Sequence, residues 1–184
     1  VYEYFEIVPD YIDIRDQIIT FTPDSSVRDG YVVSASTASG VFPMTPGTGA
    51  VTRTIALGDD DNALHTLSEM SSFRFYGTDY TTLWVSANGY ITFETFSTGT
   101  GSLVDEIDEF FEYPMICGLC EEMDPSDGGT ITLDETTDTF SITFDGVPFD
   151  YETPTNRFQI ILHSDGRIQI VILEVPKEGL DTSD

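Results

Sequence analysis

Positive charge is what this sequence has least of. Its 184 residues include 7 Lys and Arg against 33 Asp and Glu, for a formal net charge of −26. Lys177 is the sole lysine. So acidic a surface repels phosphate backbones and anionic lipid headgroups, which argues against nucleic acid or an anionic membrane as partner. Long apolar runs are missing too. No stretch nears the roughly 18 residues of a spanning helix, so direct membrane insertion is not expected. The opening residues VYEYFEIVP have neither the basic region nor the long apolar core of a secretory signal, so secretion would imply a signal already removed. Cysteine is scarce: Cys117 and Cys120 neither demand an oxidising compartment nor exclude one. No internal repeat of fixed period is found.

What is present is a core. Hydrophobic residues make up 40% of the chain, with 13 Phe and 9 Tyr, which is globular and long enough for one domain with an extension. The acidity fits a halophilic protein held soluble in high salt, or one that gathers divalent cations.

The stretch Phe73 to Phe93 is the centre of the pattern. Phe73, Phe75 and Tyr76 run into a turn at Gly77-Thr78-Asp79. Tyr80, Leu83, Val85, Tyr90, Ile91 and Phe93 then form two strand-like runs around Asn88-Gly89. That dipeptide predicts a hairpin closed by a type I′ turn, since both residues tolerate positive φ. Upstream, Val1 to Val8 reads as a strand ended by Pro9-Asp10, Tyr11 to Phe21 as a second, and Tyr31 to Ala35 as a third after a loop at Pro23 to Gly30. Ala38 to Gly49, rich in Gly, Pro, Ser and Thr, reads as a flexible connector. It divides a strand-rich extension at 1–50 from a domain at 51–184.

Downstream, Val51 to Leu57 and Ala63 to Leu67 flank an acidic turn. Leu103 to Phe111 has helical spacing and predicts a short acidic helix stopped before Pro114. Met115 to Leu119 is a short strand. Thr130 to Leu133 with Thr139 to Phe144, and Arg157 to His163 with Arg167 to Leu173, form two more hairpins, with Ile131 and Leu133 on one face. Many short strands at regular spacing predict an all-β fold, an antiparallel β-sandwich with one short helix.

The motifs form a series: Leu57-Gly58-Asp59-Asp60-Asp61, Phe73-Arg74-Phe75-Tyr76-Gly77, Val85 to Phe93, Pro114 to Pro125, Gly128-Gly129, Phe158 to Leu162 and Asp165 to Ile168. Over about residues 51–175 this series resembles the nidogen-like extracellular β-sandwich module of large secreted bacterial and archaeal proteins. The resemblance implies a non-catalytic structural or adhesion module at the cell surface, whose partners are other protein subunits or surface proteins. The chain departs from such modules in carrying Cys117 and Cys120. It also departs in lacking a further apolar strand after Glu174-Val175-Pro176, which predicts a sandwich short of one strand. An added strand could complete it: Tyr2, Tyr4, Phe5 and Ile7 are the candidate contact residues for a filament built by strand complementation, or the same segment pairs within its own chain, or the sequence stops short of the last strand.

Other constellations offer alternatives. Asp59, Asp60 and Asp61, with Asp124 and Asp127, are hard oxygen ligands suited to calcium in a stabilised spacer, yet the same residues serve turns by bonding their own backbone. No cofactor is required. Trp84, Tyr80 and Tyr90 could stack on a sugar as a glycan site in a carbohydrate-binding accessory domain of a secreted hydrolase, or serve as cross-strand packing. Cys117 and Cys120 could form a redox pair, half a zinc site, two buried thiols, or a disulfide if the strand kinks. Glu121, Glu122 and Asp124 could supply a carboxylate pair, but so many acids make neighbours by chance, and no catalytic order of Ser, His and Asp stands out. The expectation is that the chain is not an enzyme.

Overall fold

The computed structural model describes residues 14–27, 30–94, 113–149 and 155–175. The strand expected at Val1 to Val8 and the helix expected at Leu103 to Phe111 lie outside them. Among the described residues there are thirteen strands and no helix. They are β1 (Gln17–Asp24), β2 (Gly30–Thr37), β3 (Val51–Ile55), β4 (Asn62–Thr66), β5 (Phe73–Phe75), β6 (Thr78–Tyr80) and β7 (Thr82–Ser86). After these come β8 (Tyr90–Thr92), β9 (Met115–Cys117), β10 (Thr130–Glu135), β11 (Thr139–Pro148), β12 (Thr155–His163) and β13 (Ile168–Glu174).

Seven strands form one sheet in the order β2-β1-β13-β12-β11-β10-β3, four form a second in the order β4-β7-β8-β9, and β5-β6 is a hairpin of its own. All pairings are antiparallel. Strands β1 and β2, from the stretch read as an extension, are hydrogen-bonded into the large sheet through β13. Alternation decides which face is buried. Ile131 and Leu133, Phe140, Ile142 and Phe144, Phe158, Ile160 and Leu162, and Ile168, Ile170 and Ile172 all join the core that also holds Leu83, Val85 and Ile91 of the small sheet. The Phe144 and Phe158 rings stack across the hairpin at 4.4 Å.

The opposite face of the large sheet is covered as well. Ala38 and Phe42 pack on Ile161, Val171 and Leu173. Gln159, fully buried, donates to the Met44 carbonyl (2.7 Å) and to Thr143 Oγ1 (2.6 Å). Residues 38–49, read as a flexible connector, are therefore fastened to the sheet by a second, smaller core.

The turn chemistry corrects the sequence reading in two places. Of the residues closing β7 to β8, only Gly89 has positive φ (78°). Gly89 N–H donates to the Ser86 carbonyl (3.3 Å), so this is a three-residue loop with glycine in the left-handed position, not a type I′ turn. The type I′ signature falls instead between β5 and β6. There the two central residues, Tyr76 and Gly77, have φ of 43° and 83°, and Thr78 and Asp79, expected in the turn, begin β6. The segment Phe73 to Phe93 is thus two hairpins. The predicted strand from Tyr11 also begins later: Ile14 to Asp16 form a turn, Asp16 takes φ 57°, and β1 continues through Pro23.

Candidate interaction site

The two sheets differ in width, and the site follows from that. His65 of β4 lies against Glu135 of β10 and stacks on Phe140 of β11. At the other side of the small sheet, a Cβ on Gly118, just past β9, would meet the Phe158 ring of β12 at 2.6 Å. Four strands therefore cover β10 to β12, while β13, β1 and β2 extend beyond β9. The β5-β6 hairpin shelters part of this overhang through the contact of Phe75 with Tyr31 (6.5 Å between rings). Between them remains a cavity of about 470 Å³. Phe21, Tyr31, Ile168 and Ile170 form one wall, Phe75 and Tyr76 close an end, and residues 113–117 form the other wall. None of its lining side chains is charged.

The β9 wall carries backbone polarity. Phe93 N–H donates to the Pro114 carbonyl (3.0 Å), and Gly118 N–H to the Gly89 carbonyl (2.9 Å). Hydrogen-bonded positions alternate along an antiparallel strand, so Ile116 directs its N–H and C=O to β8 while Met115 and Cys117 direct theirs the other way. Among the described residues no strand pairs with β9 on that side. The arrangement is an apolar slot with a hydrogen-bonding edge, one strand wide.

Cys117 and Cys120 are joined in a disulfide with Cα atoms 5.5 Å apart. The chain kinks as bridging requires: β9 stops at Cys117, and Cys120 takes φ 53°. The bridge ends β9 beside the slot and leaves neither sulfur as a free thiol to bind zinc.

Two buried carboxylates escaped sequence reasoning. Glu135 has 1% of its side chain exposed. Its Oε1 accepts from the N–H groups of Ser68 (2.7 Å), Glu69 (2.7 Å) and Met70 (2.9 Å), and its Oε2 from Ser68 Oγ (3.0 Å), with His65 Nε2 at 3.3 Å. Burial alone would raise this carboxyl; the three backbone donors and the hydroxyl outweigh it and hold it below its ordinary value. Asp134 accepts from Gly47 N–H (2.9 Å), Gly49 N–H (2.8 Å) and Thr52 Oγ1 (2.7 Å). One acid locks the β4-β5 connection to the large sheet, the other locks the 38–49 segment.

The predicted site residues fall as follows. Asp61 Oδ2 accepts from Gly58 N–H (2.8 Å), Asp60 Oδ1 from Asn88 Nδ2 (2.9 Å), and Asp124 Oδ1 from Ser126 N–H (2.8 Å). Asp59 precedes them in the same turn, and Asp127 N–H closes the other turn onto the Asp124 carbonyl (3.1 Å). Among the described residues no three acidic, imidazole or thiol side chains converge as a metal site needs. Tyr90 is closed to solvent, and burial raises its phenol. Tyr80 stacks on Phe93 at 4.5 Å. Of that aromatic set Trp84, half-buried beside exposed Leu64, is left to meet a sugar. Glu121 is pushed up by burial and by neighbouring Glu122, and both lie in the loop that follows the disulfide. Tyr2, Tyr4, Phe5 and Ile7 lie outside the described residues.

Fold and site together define a two-sheet β module with a disulfide, an apolar slot and buried acids spent on their own backbone. Among the described residues no helix is long and apolar enough to cross a membrane. A family model described as NIDO related matches residues 30–182, and the chain belongs to that family. The match confirms the nidogen-like resemblance and begins earlier than residue 51. No curated protein and no solved structure matches the chain.

Proposed function

We propose that the protein is a non-catalytic structural or interaction module of an extracellular, cell-surface assembly, and that it makes contact by accepting a strand. The observation that carries this reading is the slot beside β9, where outward-facing backbone groups meet an uncharged, aromatic-lined groove. Such an edge invites pairing with another chain, the mode known as β-augmentation. The disulfide supports a location outside the reducing cytosol. The use of Glu135, Asp134 and His65 as internal ties supports structural work over catalysis. Sedimentation and electron microscopy of concentrated protein in molar salt should reveal a filament or lattice. A monomer that persists at every concentration would overturn self-assembly as its work.

A further inference from the structure

We infer that β2, an edge of the seven-stranded sheet, pairs with β2 of a second copy about a two-fold axis and joins the two large sheets into one. This edge belongs to the other sheet from the slot's β9, and the inference does not depend on the slot. The direction of its backbone groups follows from one bond. Ala38 N–H donates to the Asp16 carbonyl (2.7 Å), one step past the pairing of Gln17 with Thr37. Bonded pairs alternate along antiparallel strands, so Val32, Ser34 and Ser36 are turned to β1. Val33, Ala35 and Thr37 therefore direct their N–H and C=O groups outward. Among the described residues no strand meets them there.

Sheet edges are ordinarily guarded by charge, proline or a bulge. Gly30–Thr37 has no charged residue and no proline, and its register with β1 runs without a bulge. Residues 32–37 are all exposed. Val32 (56%) and Val33 (55%) point to opposite sides, so both faces of the strand are open. That exposure leaves the edge to another molecule rather than to a strand of the same chain. Charge narrows the choice. No charged residue occurs between Asp29 and Arg53, the longest such interval in the chain, and Val41 within it is 64% exposed. Interface cores are depleted in charge, and copies that each carry −26 approach most easily where charge is absent. The edge is also its own complement. A two-fold axis at Ser34 sets Val33 against Ala35 of the second copy and Ala35 against its Val33, so outward groups meet outward groups.

Sedimentation of the full chain in molar NaCl, where repulsion between acidic copies is screened, should show a concentration-dependent dimer. Ala35→Pro removes an outward N–H and no bond to β1. It should melt as wild type does in dilute solution and weaken the dimer at least about tenfold. Two serine variants read the register. Ser34→Cys sets its sulfur on the axis, where the Cα atoms of a non-bonded pair lie about 4.5 Å apart, and should give a disulfide-linked dimer under mild oxidation. Ser36→Cys, on the same face of the same strand, falls opposite Val32 of the second copy and should stay unlinked. A monomer at every concentration overturns the inference. A dimer indifferent to Ala35→Pro also overturns it, and would leave association to the slot. If Ala35→Pro fails to fold, the serine variants still decide, since equal linkage in both, or linkage in neither, rules out the two-fold pairing.

Discussion

A single acid can decide whether two sheets stay together. Glu135 sits at the third inward position of β10, in line with Ile131 and Leu133, where alternation calls for an apolar side chain. The sequence displays that position plainly, but an acid in a strand of an acidic protein reads as solvated. Nothing in Thr130 to Glu135 tells that Ser68, Glu69 and Met70 will aim three N–H groups at it from 65 to 67 residues away. Glu135→Ala would leave those donors buried and unsatisfied, and should cost about 3–5 kcal/mol in denaturant melts. Glu135→Gln keeps the shape and one acceptor, so its loss should be smaller, near 1–2 kcal/mol. The acid limb gives the second reading. Because the folded carboxyl lies below its ordinary value, its contribution is complete above the unfolded pKa, roughly 4.3, and fades as pH falls through the lower folded value. That limb should flatten in Glu135→Gln. Equal acid sensitivity in the two proteins would remove Glu135 from the cause.

At the scale of elements, what local pattern governs was legible, and what depends on contact was not. The β10-β11 and β12-β13 hairpins stand where alternation and the Ser164-Asp165-Gly166 turn put them. Asn88-Gly89 marks its hairpin correctly but not the turn type. Asn88 is fully buried, and its amide is committed to Asp60 and to the Met123 N–H (3.1 Å); tertiary bonds outrank the dipeptide's preference. Residues 38–49 look like linker because glycine and proline dominate them, while the bonds that hold them come from Asp134 and Gln159 far along the chain. The disulfide also depends on contact. Gly118 allows the kink, since any side chain there would run into Phe158. Closing so short a loop removes little chain entropy, so Cys120→Ser should cost about 2 kcal/mol or less and lower Tm by no more than roughly 4–8 °C. Wild type held in reductant should match it. A variant that fails to fold would show that the bridge, rather than the Gly118 contact, shapes this end of β9.

At the scale of the whole molecule, the two explanations of the acidity part company in salt. General repulsion among 33 acids is a long-range effect. It weakens as the Debye length shrinks from about 10 Å at 0.1 M to about 3 Å at 1 M, with no saturating concentration. Bound calcium acts otherwise, stabilising by RT ln(1+[L]/Kd) and levelling only logarithmically above a definite Kd. The geometry favours repulsion. Asp61, Asp60 and Asp124 already accept bonds from Gly58, Asn88 and Ser126, so a cation would have to compete with them. Tm should therefore climb steadily with NaCl, and each ~1 kcal/mol gained should appear as roughly 2–4 °C in a chain of this length. At matched ionic strength, melts in calcium and in chelator should coincide. A calcium-specific rise of several degrees that sets in above a definite calcium concentration, together with a flat response to NaCl, would mean that the carboxylates are neutralised by bound metal. The same salt series bears on assembly, because copies that each carry −26 can approach only when screened. Polymer that forms in molar NaCl and dissolves on dilution into low salt would tie solubility, stability and contact to one cause, the charge of the surface.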